Sequence, residues 1–143
     1  EAPKNELMKR LLSTACSETA FNVSVLVIRV TFGLMLLLNH GITKLKTFGQ
    51  KQHTFFDPFH LGSTTSLMLV LFAEVFCVVF VILGLFTRVM VIPIVITFLV
   101  VVFMANKGQP FAKLELPVMF LAAFTSILLM GSGKYSVDGA MGK

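Results

Sequence analysis

Residues 67–86 read LMLVLFAEVFCVVFVILGLF. A membrane-spanning helix needs about 20 mostly apolar residues, and this run has that length with Glu74 as its single charged residue. Three further apolar blocks occur, so the predicted spans cover about 21–39, 66–86, 88–105 and 115–131. The sequence therefore predicts an all-α fold, a four-helix transmembrane bundle that forms one membrane domain over residues 1–143.

The composition agrees with a membrane protein. Of the 143 residues, 56% are apolar and 13% are Asp, Glu, Lys or Arg, whereas a soluble domain carries about 25% charged residues. These values exclude disordered and collagen-like chains. The net charge of +5 comes from Lys and Arg that flank the apolar blocks, where cations anchor helix ends at lipid head groups. We expect the lipid bilayer, and not nucleic acid, to be the partner of this charge.

The long connection at about 41–65 is large enough for structure outside the bilayer. It contains several phenylalanines, which predict a segment that lies in the membrane interface. Its residues His53, Asp57 and His60 are spaced as metal ligands on a helix would be, but Pro58 interrupts that helix. We therefore predict no metal site.

Two ionisable residues lie inside the predicted spans, Arg29 in the first and Glu74 in the second. A charge in the bilayer costs several kcal/mol unless it is paired or faces water, so each marks a candidate functional site. Since consecutive spans run antiparallel, we predict that Arg29 and Glu74 lie at a similar depth and form an ion pair. Such a pair either fixes the helix register or forms a polar site for a substrate head group or a proton.

Other polar residues extend this predicted site. His40 follows Arg29 by eleven residues, which places both on one face of the first helix. His40 is a candidate proton-transferring group near neutral pH. Lys44 lies near the same face, and Glu115 begins the fourth span on the same side of the membrane. The predicted polar intramembrane site comprises Arg29, His40, Lys44, Glu74 and Glu115, with no catalytic residue assigned among them.

The opposite side of the membrane has its own charged residues. Arg88 begins the third span and Asp138 follows the fourth, so we predict an interfacial pair of Arg88 and Asp138. With four spans both chain termini lie on this side. Lys9 and Arg10 directly precede the first span, which favours a cytoplasmic location for both termini.

Short motifs along the chain resemble those of the DoxX family of small bacterial membrane proteins. Their order and spacing carry the resemblance, which extends over nearly the whole chain from Arg29 onward. The motifs are Arg29, HGITKL at 40–45, Glu74, GLFTR at 84–88, Glu115-Leu116 and GSGKYSVD at 131–138. Where relatives commonly carry Glu-x-x-Gly-Gly, this chain reads EVFCV at 74–78. The resemblance implies a four-helix bundle in the bacterial inner membrane.

The resemblance also implies a redox setting, since DoxX relatives are associated with quinone-linked sulfur oxidation and with thiol or oxidative-stress systems. A quinone site needs hydrogen-bond donors and a proton acceptor in an apolar cleft, and the predicted site contains both. One hypothesis is therefore a small redox-associated subunit with quinone as a candidate cofactor. The alternative is a non-enzymatic structural or assembly subunit that contacts other membrane protein subunits. The sequence leaves open whether the chain is an enzyme, and four spans without repeats disfavour a transporter.

Overall fold

The computed structural model describes residues 2–143, which form helices and no strands. Four of the helices are long and apolar enough to cross a membrane. In chain order the helices are α1 (Ala2–Leu11), α2 (Glu18–Lys46), α3 (Phe48–Lys51), α4 (Ser63–Leu83), α5 (Thr87–Ala105), α6 (Phe111–Met130) and α7 (Val137–Ala140). The predicted all-α fold with four membrane-spanning helices is confirmed, and the chain is a multi-pass membrane protein.

Helix α2 is longer than its predicted span of 21–39. It begins after the N-cap Ser17, whose hydroxyl accepts the N–H of Ala20 at 3.1 Å, and it continues to Lys46. At 1.5 Å per residue a helix of 29 residues is about 43 Å long, which exceeds the roughly 30 Å hydrocarbon core. We call the end where α2 begins and where α4 and α6 end the terminal end of the bundle. The opposite end is the loop end.

A tight turn joins α4 to α5 at the terminal end. Gly84 has a φ of 75° and the N–H of Leu85 donates to the Phe80 carbonyl at 2.9 Å, which closes the end of α4. Any side chain at Gly84 would collide with Ser136 and crowd the Arg29 guanidinium. The turn makes α4 and α5 antiparallel neighbours and leaves room for other segments to pack against it.

The core of the bundle consists of apolar side chains from all four long helices. Phe98, Phe120 and Phe124 stack in its centre, with ring centroids 5.2 to 6.4 Å apart. The remaining buried members are Leu36, Ala73, Cys77, Val78, Val81, Val91, Ile94 and Ile127. Many large apolar side chains instead point outward from the four long helices, where they suit contact with lipid acyl chains.

The segment after α6 folds back over the terminal end. The N–H of Lys134 donates to Asn22 Oδ1 at 2.8 Å, and the N–H of Asp138 donates to the Gly84 carbonyl at 2.9 Å. These bonds tie the segment, called here the tail (residues 131–143), to the first turns of α2 and to the α4–α5 turn. The tail thereby covers the ends of three helices.

Candidate functional site

Lys44 and Glu74 form an ion pair between α2 and α4 inside the apolar bundle. The Lys44 Nζ lies 2.6 Å from Glu74 Oε2, as in a strong charge-assisted hydrogen bond. Glu74 is at the middle of α4 and its side chain is 4% exposed, whereas that of Lys44 is 20% exposed. Two further salt bridges within residues 2–143 both join exposed side chains. The Lys44–Glu74 pair is therefore the charged centre of the bundle interior.

Within residues 2–143 there are three π-helical segments, and two of them lie at this pair. One covers Leu37–Gly41 in α2, and the other covers Phe72–Cys77 in α4 and contains Glu74. Gly41 packs against the main-chain carbonyl of Glu74 with no room for a side chain. Single π-helical turns are rare and occur frequently at functional sites, because the extra residue re-aims its neighbours. Here they coincide with the close approach of α2 and α4 beside the charged pair.

His40 lies on the helical turn that precedes Lys44. Its ring is half-buried and meets the edge of the Phe120 ring, with 5.6 Å between ring centroids. The imidazole thus contacts the aromatic stack of the core and lies one helical turn before Lys44 on α2. Its assignment as a proton-transferring group stays a prediction.

Arg29 does not pair with Glu74, so that prediction is wrong. The buried guanidinium instead donates to main-chain carbonyls, from Nη2 to Tyr135 at 2.7 Å, from Nε to Ile82 at 3.4 Å and from Nη1 to Ser132. Ile82 lies in the last turn of α4 and Ser132 follows α6, where carbonyls have no partner within the helix. We call this arrangement the Arg29 clamp.

The register between α2 and α4 explains why the predicted pair does not form. Gly33 contacts Ile82 and Gly41 contacts Glu74, so the antiparallel helices place Arg29 beyond the last turn of α4. This register separates Arg29 from Glu74 by about twelve residues, or about 18 Å, along the helix axis. Because α2 continues past the predicted end of the first span, a later cation reaches the depth of Glu74.

Arg88 and Asp138 both lie at the terminal end, but no salt bridge joins them in the described part of the chain. The Asp138 carboxylate accepts the N–H groups of Phe86 at 3.1 Å and Thr87 at 3.2 Å, at the start of α5. Arg88 donates from Nη2 to the Leu129 carbonyl near the end of α6, at 3.3 Å. The predicted interfacial pair is therefore wrong, because each charge binds a helix end of opposite partial charge.

Glu115 is separate from the Lys44–Glu74 pair. It lies in the second turn of α6, its side chain is exposed, and within residues 2–143 it makes no salt bridge. The structure therefore brings Lys44, Glu74 and His40 together but leaves Arg29 and Glu115 outside this group.

Asp57 is bound by donors of its own connection. Its carboxylate accepts the N–H groups of Leu61 at 2.9 Å and Gly62 at 2.7 Å and the Ser66 hydroxyl at 2.8 Å. Partial desolvation raises the pKa of Asp57, but these hydrogen bonds and the nearby His60 outweigh it and hold the pKa below its usual value. Across residues 2–143, no three His, Cys, Asp or Glu side chains are grouped to hold a metal ion.

The sequence does not predict the partners of Arg29, because all three acceptors are main-chain carbonyls, which every residue has. A weaker signal is present in the sequence. Gly84 and Gly131, both with positive φ, follow the two helices whose ends the guanidinium reaches. Glycines after a helix mark an exposed row of carbonyls, which is where a buried cation finds acceptors.

These features define a multi-pass α-helical membrane protein with a charged pair at the centre of a four-helix bundle. The family model for DoxX matches residues 24–107, which is more than half of the chain. The chain therefore belongs to the DoxX family, as the motifs indicated. Comparison with curated proteins and with solved structures gave no match.

Proposed function

We propose that this protein is a small subunit of a membrane redox system and that the Lys44–Glu74 pair binds the head group of a lipid-soluble quinone. The observation that carries the proposal is the charged pair itself, buried at the middle of an apolar bundle. A buried ion pair is often no more stable than apolar packing of similar volume, so its presence favours a role beyond stability. A bound quinone supplies two-electron, two-proton chemistry within the lipid phase.

The residues around the pair fit such a head group. The Lys44 ammonium and the His40 imidazole supply hydrogen-bond donors for carbonyl oxygens, and the Glu74 carboxylate can take up a proton. Lys44 is the more exposed partner, so the site opens on its side. An apolar groove of about 300 Å³ lies between the α3–α4 connection, α4 and α5. Val70, one of the lining residues, is one helical turn before Glu74 on α4, and the groove suits an apolar tail.

The proposal places the electron donor in a partner subunit. Cys16 is exposed before α2, whereas Cys77 is buried in the apolar core, so the two thiols do not form a dithiol centre. A thiol-linked version of the system therefore requires cysteines of the partner. In this arrangement the chain contributes the proton site and the lipid-facing scaffold.

A binding measurement tests the proposal. The protein in lipid nanodiscs is titrated with decyl-ubiquinone, and the dissociation constant is compared with that of the K44M/E74Q variant, which removes both charges together. We expect an affinity loss of about tenfold or more, as for a lost hydrogen bond to a charged group. The control is K46M, since Lys46 is exposed on the same helix. Equal affinities for K44M/E74Q and K46M would contradict the proposal.

A second function, that of a structural or assembly subunit, is favoured by an aromatic row on α4. Phe72 and Phe76 are exposed and stack with ring centroids 5.2 Å apart, and Phe80 follows at 4.9 Å from Phe76. Spacing of four residues places the three rings on one outward stripe. Aromatic residues are enriched in protein–protein interfaces, so this row is the surface that a helix of another subunit would cover.

Purification from native membranes in mild detergent tests this second function. A structural subunit co-purifies with a stoichiometric partner, and F72A/F76A loses that partner. F103A is the matched control, because Phe103 is also exposed but lies on α5. Retention of the partner by F72A/F76A would exclude the aromatic row as the contact.

We further propose that the chain lies in the bacterial inner membrane with both termini in the cytoplasm. Cys16 offers a direct probe, since it is exposed at the terminal end, while the buried Cys77 serves as an internal control. A membrane-impermeant maleimide is expected to label Cys16 only after the cells are permeabilised. Labelling in intact spheroplasts would place the termini outside.

A further inference from the structure

A cavity of about 710 Å³ opens at the terminal end, far from the Lys44–Glu74 pair. It lies between the first turn of α5, the last turn of α6 and the tail. Its lining includes Asn22, Thr87, Arg88, Lys134 and Lys143. The lining combines these polar groups with apolar side chains such as Phe86 and Val89.

Of the four charged lining residues, three are cationic, namely Arg88, Lys134 and Lys143, and one is Asp138. Arg88 uses one Nη2 bond for the Leu129 carbonyl, which leaves further N–H donors of its guanidinium for a ligand. Lys143 Nζ lies 4.3 Å from the centre of the Phe86 ring, which holds its charge near the rim. Lys134 pairs with Glu18, but both side chains of that pair are exposed. The cavity therefore carries an excess of positive charge.

Asp138 also lines the cavity, yet its charge is already compensated. Both carboxylate oxygens accept N–H groups at the start of α5, where the helix carries partial positive charge. Asp138 is buried, so it is directed into the helix end more than into the cavity. Asp138 therefore holds the start of α5 in place as a wall of the cavity, and its charge does not neutralise the basic side chains.

Thr87 supplies an independent sign of a ligand. The residue is 1% exposed and lines the cavity, and in the described range its Oγ1 is the only buried side-chain N or O atom without a hydrogen-bond partner. Leaving a buried hydroxyl unpaired costs about 1–3 kcal/mol. A ligand oxygen in the cavity would accept this hydrogen bond and remove the cost.

We infer that this cavity is a binding site for a phosphate-bearing anion, bound by the Thr87 hydroxyl, the Arg88 guanidinium and the Lys143 ammonium. Arginine forks match phosphate oxygens, and basic cavities between membrane helices bind lipid phosphates. A phospholipid head group is one source of this chemistry, because the lining residues Phe86 and Val89 have exposed apolar side chains that suit contact with acyl chains. A water-soluble phosphate is the other source.

Two probes distinguish a phospholipid head group from a water-soluble phosphate as the ligand. The first is phosphatidylglycerol added to phosphatidylcholine nanodiscs, with retained lipid measured by native mass spectrometry. The second is inorganic phosphate added to nanodiscs of phosphatidylcholine alone, with binding followed by phosphorus NMR. Each is applied to the wild type, T87V, R88Q and K113Q, the last being a control at the exposed loop end.

We expect T87V and R88Q to weaken binding of the recognised probe by about tenfold, whereas K113Q leaves it unchanged. T87V is the sharper variant, because replacing an unpaired hydroxyl by a methyl group keeps or raises the stability of the ligand-free protein. Selective loss of phosphatidylglycerol identifies a lipid site, and selective loss of inorganic phosphate identifies a soluble ligand. Binding of neither probe, or equal losses in T87V and K113Q, would overturn the inference.

Discussion

The Arg29 clamp and the Lys44–Glu74 pair bury a cation in two different ways. At the terminal end, Arg29 is surrounded by main-chain carbonyls of Ile82, Ser132 and Tyr135 and has no acidic partner in contact. At the centre of the bundle, Lys44 is matched by a single carboxylate. The Ile82 carbonyl belongs to the last turn of α4 and the other two belong to the tail, and each carries only a partial charge, whereas Glu74 carries a full charge. A buried cation in this bundle can therefore be bound without a carboxylate in direct contact, although the buried Asp138 lies near enough to Arg29 to interact with it electrostatically.

The difference also separates structural from chemical roles. The Arg29 clamp joins α2, the end of α4 and the tail, so its loss affects the whole terminal end. The Lys44–Glu74 pair joins two helices at one point and leaves a carboxylate that can change its protonation state. The following variants test this division, beginning with the largest expected effect.

Replacing Arg29 with Met is expected to lower the free energy of unfolding by about 5 kcal/mol, because buried carbonyls lose their donors and each unpaired group costs about 1–3 kcal/mol. The measurement is reversible unfolding in mixed detergent micelles. R29K keeps the charge without the planar fork and should restore only part of the stability. Wild-type stability of R29M would show that the carbonyl contacts contribute nothing.

Replacing Glu74 with Gln is expected to lower the free energy of unfolding by about 3 kcal/mol, because the Lys44 ammonium, whose side chain is only 20% exposed, loses its counter-charge inside the bundle. The K44M/E74Q variant should recover to within about 1 kcal/mol of the wild type, since it removes both charges. A double-mutant cycle measures this coupling. If K44M/E74Q is as unstable as E74Q, the two residues do not act as a pair.

Substitutions of two glycines of α2 compare the helix packing beside the Lys44–Glu74 pair with the packing nearer to the Arg29 clamp. G41A places a methyl group against the main-chain carbonyl of Glu74, which cannot move, and should cost about 2 kcal/mol. G33A meets only the side chain of Ile82, which can change rotamer, and should cost less than about 1 kcal/mol. Thermal unfolding of both variants shows which substitution destabilises the protein more. A larger loss for G33A would contradict the assigned helix contacts.

The smallest effect on stability is expected when Asp57, an anion bound by N–H groups just before α4, becomes protonated. Because its pKa is lowered in the folded protein, its hydrogen bonds contribute fully above its ordinary value near 3.8 and are lost as the pH falls through the lowered value. Hydrogen exchange of the α3–α4 connection should therefore increase at low pH, after correction for intrinsic exchange. D57N should remove this pH dependence, and an unchanged profile in D57N would exclude Asp57 as its source.

The sequence predicts the helices well because each span needs a long apolar run, and residues 67–86 leave no alternative. It also indicates that Glu74 is paired, since a lone carboxylate within a membrane span is costly unless it has a partner or faces water. The partner itself depends on the axial register of α2 and α4. Gly33 and Gly41 determine that register through close packing, which no spacing rule along one chain reveals. The position of the tail and its main-chain acceptors also depends on packing between distant segments, so the sequence does not predict it.

The clamp has a consequence for how the protein is made. Arg29 is separated from its acceptors at Ser132 and Tyr135 by 103 and 106 positions. At about 5–20 residues per second, a ribosome delivers those acceptors about 5–20 s after Arg29. During this interval the first spanning helix resides in the membrane while the Arg29 guanidinium lacks these two acceptors, and the insertion machinery or phospholipid head groups must accommodate its charge. Residues that follow the last spanning helix thus complete the contacts of the first spanning helix.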